Sequence, residues 1–123
     1  MSFSSVLRKI VDGSGGGLAA ALMGPDGIPI EQVSASGADA GAAEEASVLG
    51  IEFGRILQEM RKASDSVEGG AVQEVSVRLL RRWVLLRDVD PETTLVVTLG
   101  PDGNAGKARF LMRRYLLELR DQL

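Results

Sequence analysis

The chain contains neither cysteine nor histidine. Without cysteine there is no disulfide framework, thiolate zinc site, iron–sulfur cluster or thiol nucleophile. Without histidine the commonest metal ligand and general base is missing, and every Ser–His or Cys–His nucleophile goes with it. Aromatic residues are scarce, with one Trp, one Tyr and three Phe, so there is no platform on which nucleic-acid bases would stack. Positive charge is not in excess either. Fourteen basic against 17 acidic residues give a net charge of −3, poor material for gripping a phosphate backbone. Near the start the longest wholly apolar run is Leu18 to Met23, too short for a signal-peptide core or a bilayer span. What is present is 123 residues of which 45% are apolar, enough for one compact domain over residues 1–123 with a real core. These features lead us to expect a soluble, cytoplasmic, non-enzymatic domain with no cofactor, no metal, no nucleic-acid partner and no membrane insertion.

Hydrophobic periodicity divides the chain into alternating elements. Phe3, Val6, Leu7, Ile10 and Val11 recur at helical spacing behind Ser2, a candidate cap, and Gly13 to Gly17 ends this helix as a flexible linker. Leu18 to Met23 suits a strand buried on both faces, although its alanines would equally suit a helix. The turn Gly24-Pro25-Asp26-Gly27 sends the chain back as a second strand, Ile28 to Val33, and Pro29 assigns that strand to a sheet edge. A long helix is predicted from a cap at Asp39 to about Ser64, with Ala46, Leu49, Phe53, Ile56, Leu57 and Met60 in one stripe. Ala71 to Leu80, Arg82 to Val89 and Thr93 to Leu99 read as three further strands. A second Gly-Pro-Asp-Gly, Gly100 to Gly103, leads into one final helix carrying Ala108, Leu111, Met112, Tyr115 and Leu119 on one face. The expected class is α/β (α+β): a five-stranded, mostly antiparallel sheet with helices packed against it, in the order α-β-β-α-β-β-β-α.

Motifs that suggest chemistry fail on inspection. Gly100 to Ala108 places a Gly-Lys pair between strand and helix, but five residues separate Gly100 from Gly106 and Ala108 stands where a P-loop needs Ser or Thr. Gly13 to Gly17 lacks dinucleotide-binding spacing and follows a helix. Glu44 and Glu45 lie on different faces of one helix and read as a solvated first turn. Arg109, Arg113 and Arg120 share a face of the last helix, while Arg78, Arg81, Arg82 and Arg87 crowd the strand region. Such clusters fit an acidic protein surface, less well nucleic acid or anionic lipid, or simply a solvated face.

Two features point away from a monomer. Ser47, Gly50 and Gly54 fall near one stripe of the long helix, and each mid-helix glycine costs about 1 kcal/mol relative to alanine. Something therefore packs close to that backbone, either the chain's own sheet or a partner helix. In addition, the Ala71–Leu80 strand, with Val75 and Val77 on one face, is an edge without proline, a template for pairing with a second copy. On the opposite edge, Pro25, Asp26 and Ile28 form a stiff hairpin tip. It offers a small apolar anchor beside a carboxylate, a candidate partner contact, unless Ile28 merely covers the end of the first helix.

The element order, the long second helix with its small residues and the Asp-Gly hairpin after the first strand resemble the roadblock/dynein light chain family along essentially the whole chain. Within it, Met1-Ser2-Phe3 and Met23-Gly24 followed by Asp26-Gly27-Ile28 are similar to MglC-type members of the bacterial MglB/MglC group, with Pro25 where the MglC-type hairpin carries an aromatic residue. The resemblance implies a homodimer whose second helices and third strands meet. It also implies a regulatory adaptor of a polarity and motility system run by a small Ras-like GTPase, binding an MglB-type roadblock protein. Direct regulation of the GTPase is the second reading. The third is small-molecule sensing, although no convergent polar cluster appears in the apolar runs.

Overall fold

The computed structural model describes residues 2–123. The elements are α1 (Phe3–Gly13), β1 (Gly17–Met23), β2 (Pro29–Ser34), α2 (Ala42–Ser66), β3 (Glu74–Arg78), β4 (Trp83–Asp90), β5 (Thr93–Leu99), α3 (Ala105–Arg114) and α4 (Leu116–Asp121). The strands form one sheet in the order β2-β1-β5-β4-β3, and every neighbouring pair is antiparallel. The expected class and element order therefore hold, with an all-antiparallel sheet and one helix more than expected.

Strand alternation distributes the core over both faces of the sheet. Ala20, Leu22, Leu85, Leu95, Val97 and Leu99 meet α1, α3 and α4, whose Val6, Leu7, Ile10, Ala108, Met112 and Leu119 complete the larger core. Ala19, Ala21, Met23, Val84, Leu86 and Val96 point the other way, toward α2. The alanines of β1 let both helical layers approach the central strands. The result is three layers, with α2 alone on its side.

Several boundaries differ from the sequence reading. The cap of α2 is Gly41 rather than Asp39, whose carbonyl instead accepts from the Ala42 N–H at 3.0 Å. The third strand is shorter than Ala71–Leu80 because only Glu74 to Arg78 pair with β4. The last helix breaks at Tyr115, where ψ opens to 5°, and this keeps Leu116 and Leu119 on the core. The Gly13–Gly17 segment is not a loose linker. Gly16 has φ +83°, and a Cβ there would lie 2.7 Å from Gly103 Cα. Its carbonyl accepts from Gly100 N–H at 2.9 Å, and that of Gly15 accepts from Asn104 N–H at 2.9 Å. Glycine is needed on both sides so that these two turns can touch backbone to backbone.

Candidate protein-interaction site

The free ends and edges of this sheet carry the residues singled out from the sequence. At one end the β1–β2 turn is closed by Gly24 N–H donating to the Ile28 carbonyl at 2.9 Å and Gly27 N–H donating to the Gly24 carbonyl at 3.2 Å. Gly27, at φ +76°, sits against Ile51 of α2. Pro25 and Asp26 are exposed at the tip, and Ile28 is 67% exposed just before β2 begins at Pro29. With that exposure Ile28 is not spent on the core. A register shift between Leu22 and Met23 pairs Glu31 with Leu22 and Pro29 with Met23, leaving Ile30 as the extra residue. Period-two alternation therefore fails across this bulge, and Ile30 lies over Gly24 rather than in the core.

The hairpin tip is one wall of a cleft of about 380 Å³. Residues Ile51, Gly54, Arg55, Gln58 and Arg61 of α2 make the second wall, and Pro91 and Glu92 of the β4–β5 turn make the third. Arg61 is fixed by both Asp88 oxygens at 3.0 Å. The sequence reading missed this convergence of polar groups because its members come from three distant segments. Its one legible signal was Gly54, which lines the cleft and would bring a Cβ within 4 Å of nothing.

The other two small residues of α2 behave differently. A Cβ on Gly50 would lie 2.9 Å from Met23 Cγ and 3.0 Å from Val96 Cγ2. Buried Ser47 donates to Gln32 Oε1 on β2 at 2.5 Å. Ser47 and Gly50 therefore pack on the chain's own sheet, one of the two readings that their spacing left open. Only Gly54 of the three stays open.

At the opposite edge β3 has no strand beyond it. The predicted α2 stripe is covered only in part: Leu57 is buried, whereas Ile56 is 49% and Met60 40% exposed. Phe53, Ile56 and Met60 border an apolar groove of about 60 Å³ whose other side is Val75, Val77 and Leu86. Val75 and Val77 are half-buried on this face. On the opposite face of β3, Glu74 accepts from Arg113 at 3.1 Å and pairs with Arg87 at 3.4 Å. The Arg113 hydrogen bond holds the Glu74 carboxyl below 4.5; partial burial opposes this, and the charges of Arg113 and Arg87 add to it.

Most of the arginine clusters are spent on the fold. Arg82 pairs with Glu45 at 2.6 Å, Arg78 lies over the Trp83 ring, Arg109 donates to Ser76 Oγ and Arg120 donates to the Val89 carbonyl. In the Gly100–Ala108 segment, Asn104 Oδ1 accepts from the Lys107 N–H at 3.0 Å, so the helix entry is capped by its own side chain. Among the described residues, no three carboxylates gather to hold a metal ion. No helix among them is long and apolar enough to cross a membrane.

Comparison with solved structures brings these features together. The crystal structure of MglC from Myxococcus xanthus is 32% identical in sequence over the whole of both chains, with a TM-score of 0.67. A Roadblock/LC7 domain from Streptomyces avermitilis matches 99% of this chain and 98% of its own at 20% identity and a TM-score of 0.81. The gliding protein MglB from Thermus thermophilus matches 92% of this chain and 82% of its own at 18% identity and a TM-score of 0.72. The last two likenesses are of fold alone. No protein-family model matches the chain, and no curated protein sequence does. Full-length identity to MglC, on a fold shared with a roadblock domain, identifies the chain as a member of the roadblock/LC7 family, similar to MglC.

Proposed function

We infer that this protein is a non-enzymatic roadblock homodimer that acts as a regulatory adaptor in a gliding-polarity system governed by a small Ras-like GTPase. In this reading it binds an MglB-type roadblock protein through the hairpin tip. The observation that carries the reading is the unfinished β3 edge beside the groove of Phe53, Ile56, Met60, Val75 and Val77. A second copy adding its own β3 would extend the sheet and bring the two α2 helices over the groove. Stable interfaces of this kind commonly bury upwards of about 2,000 Å². The likeness to MglC supports the adaptor role, and the exposed Pro25, Asp26 and Ile28 supply a contact that dimerisation leaves free.

Light scattering at micromolar concentration tests the dimer: wild type runs at twice the chain mass, and Val77→Pro runs as monomer or aggregates. A wild-type monomer refutes it. The partner site is tested by Asp26→Lys with Ile28→Ala in a pull-down against an MglB-type protein. Loss of binding with an unchanged melting temperature supports the site, and undiminished binding rejects it. The three-walled cleft also favours a second reading, small-molecule sensing, since its volume falls within the range of ligand pockets. Native mass spectrometry of protein purified from its own cell distinguishes the two by the retained mass, either a metabolite or a second roadblock chain.

A further inference from the structure

The outward face of the last two helices is not absorbed by the fold or by the adaptor reading. Lys107, Phe110, Arg114 and Leu117 succeed one another at i, i+3, i+7 and i+10, and all four are exposed. This line lies opposite the buried Ala105, Ala108 and Met112. The Tyr115 N–H to Leu111 carbonyl bond and the Leu119 N–H to Tyr115 carbonyl bond, both 3.1 Å, carry the spiral through the break. The line therefore runs for about 15 Å. Phe110 is 60% and Leu117 67% exposed. Arg114 rests over the Tyr115 ring, and neither it nor Lys107 has a carboxylate partner among the described residues.

Charge is segregated along the sequence, although Arg109, Arg113 and Arg120 are engaged by Ser76, Glu74 and the Val89 carbonyl, which leaves Lys107 and Arg114 as the cations of this line. Residues 105–123 hold five basic and two acidic groups, whereas the rest of the chain holds nine and 15. A second copy presenting the same face would set cation against cation, so self-association does not explain it. Neither Phe110 nor Leu117 lines either of the two clefts described above. They project singly, each beside a cation, which suits a fluid anionic surface that can close around each one. We propose that the Lys107–Phe110–Arg114–Leu117 face docks reversibly on anionic lipid headgroups, with the two apolar side chains entering the interface and the cations held at phosphate level. This is peripheral contact, not insertion, and it does not depend on the partner site at the hairpin.

The test is co-sedimentation of the full chain with phosphatidylcholine vesicles, with and without 30% phosphatidylglycerol, at low and high salt. The expected result is pelleting only with the anionic vesicles and release by high salt. Neutralising both cations in Lys107→Gln/Arg114→Gln lowers the partition coefficient about 25-fold, taking about fivefold for each cation near such a surface. Phe110→Ser/Leu117→Ser weakens pelleting on the same vesicles while thermal unfolding stays at the wild-type midpoint, since both positions are exposed. Equal pelleting on neutral vesicles, or pelleting unaffected by either variant, overturns the proposal. Capture by immobilised poly-glutamate without pelleting on anionic vesicles also overturns it, in favour of an acidic protein partner.

Discussion

Gly50 and Gly54 sit one turn apart on α2, and the structure assigns them opposite responses to the same substitution. Alanine in a helix interior is favoured over glycine by about 1 kcal/mol. At Gly54 the added methyl group meets no atom within 4 Å, so Gly54→Ala gains that full amount within the protomer. At Gly50 it lies 2.9 Å from Met23 Cγ, 3.0 Å from Val96 Cγ2 and 3.3 Å from Met23 Sδ. The thioether can swing aside, but Val96 is a β-branched residue with no exposure on a central strand, with little rotamer freedom to yield. Overpacking of this kind costs about 1–3 kcal/mol. After the helical gain is subtracted, Gly50→Ala is destabilised by about 0–2 kcal/mol. The two variants then differ by about 1–3 kcal/mol, several degrees in melting temperature for a chain of this size. Urea unfolding at one protein concentration measures this, provided the slopes agree. Gly50→Ala at least as stable as Gly54→Ala would refute the packing argument. The dimer adds a second readout, because a partner helix seated over Gly54 would make Gly54→Ala destabilising in a concentration-dependent way.

Three further outcomes follow from the same geometry. Glu74 has a lowered folded pKa, so its contribution is complete above the unfolded value near 4.5 and is lost as pH falls through the folded one; Glu74→Gln should flatten the decline in melting temperature from about pH 5 to pH 3, and an unchanged slope would discount the Arg113 contact. Gly16→Ala forces a side chain into the left-handed region and onto Gly103 Cα, so its unfolding free energy should drop by more than about 1 kcal/mol, whereas wild-type stability would show that the two turns separate freely. Asp88→Asn leaves the half-buried Arg61 without a counter-charge and should lower stability by about 1 kcal/mol, detectable as a lower urea midpoint at unchanged slope; a midpoint equal to wild type would show that this ion pair contributes nothing.

The sequence by itself determined the class, the order of elements and most of the core. Period-two and period-3.6 patterns are local, and Val6, Leu7, Ile10 and Val11 declare the buried side of α1 without reference to anything else. Pro29 assigned its strand to an edge because a missing N–H is a local fact, and Ser2 capped α1 as expected, accepting from Ser5 N–H at 3.2 Å. The tertiary structure alone decided where each exposed or small residue faces. Ser47, Gly50 and Gly54 look alike in sequence, yet the first two meet β1, β2 and β5 while the third opens on a cleft. That difference arises from where α2 crosses the sheet. The one-residue bulge opposite Leu22 displaced Ile30 from its expected face, a register choice made by the pairing of two strands. The cleft itself joins residues from the hairpin, α2 and the β4–β5 turn, and proximity between segments so far apart is a property of the folded chain, not of any window along it.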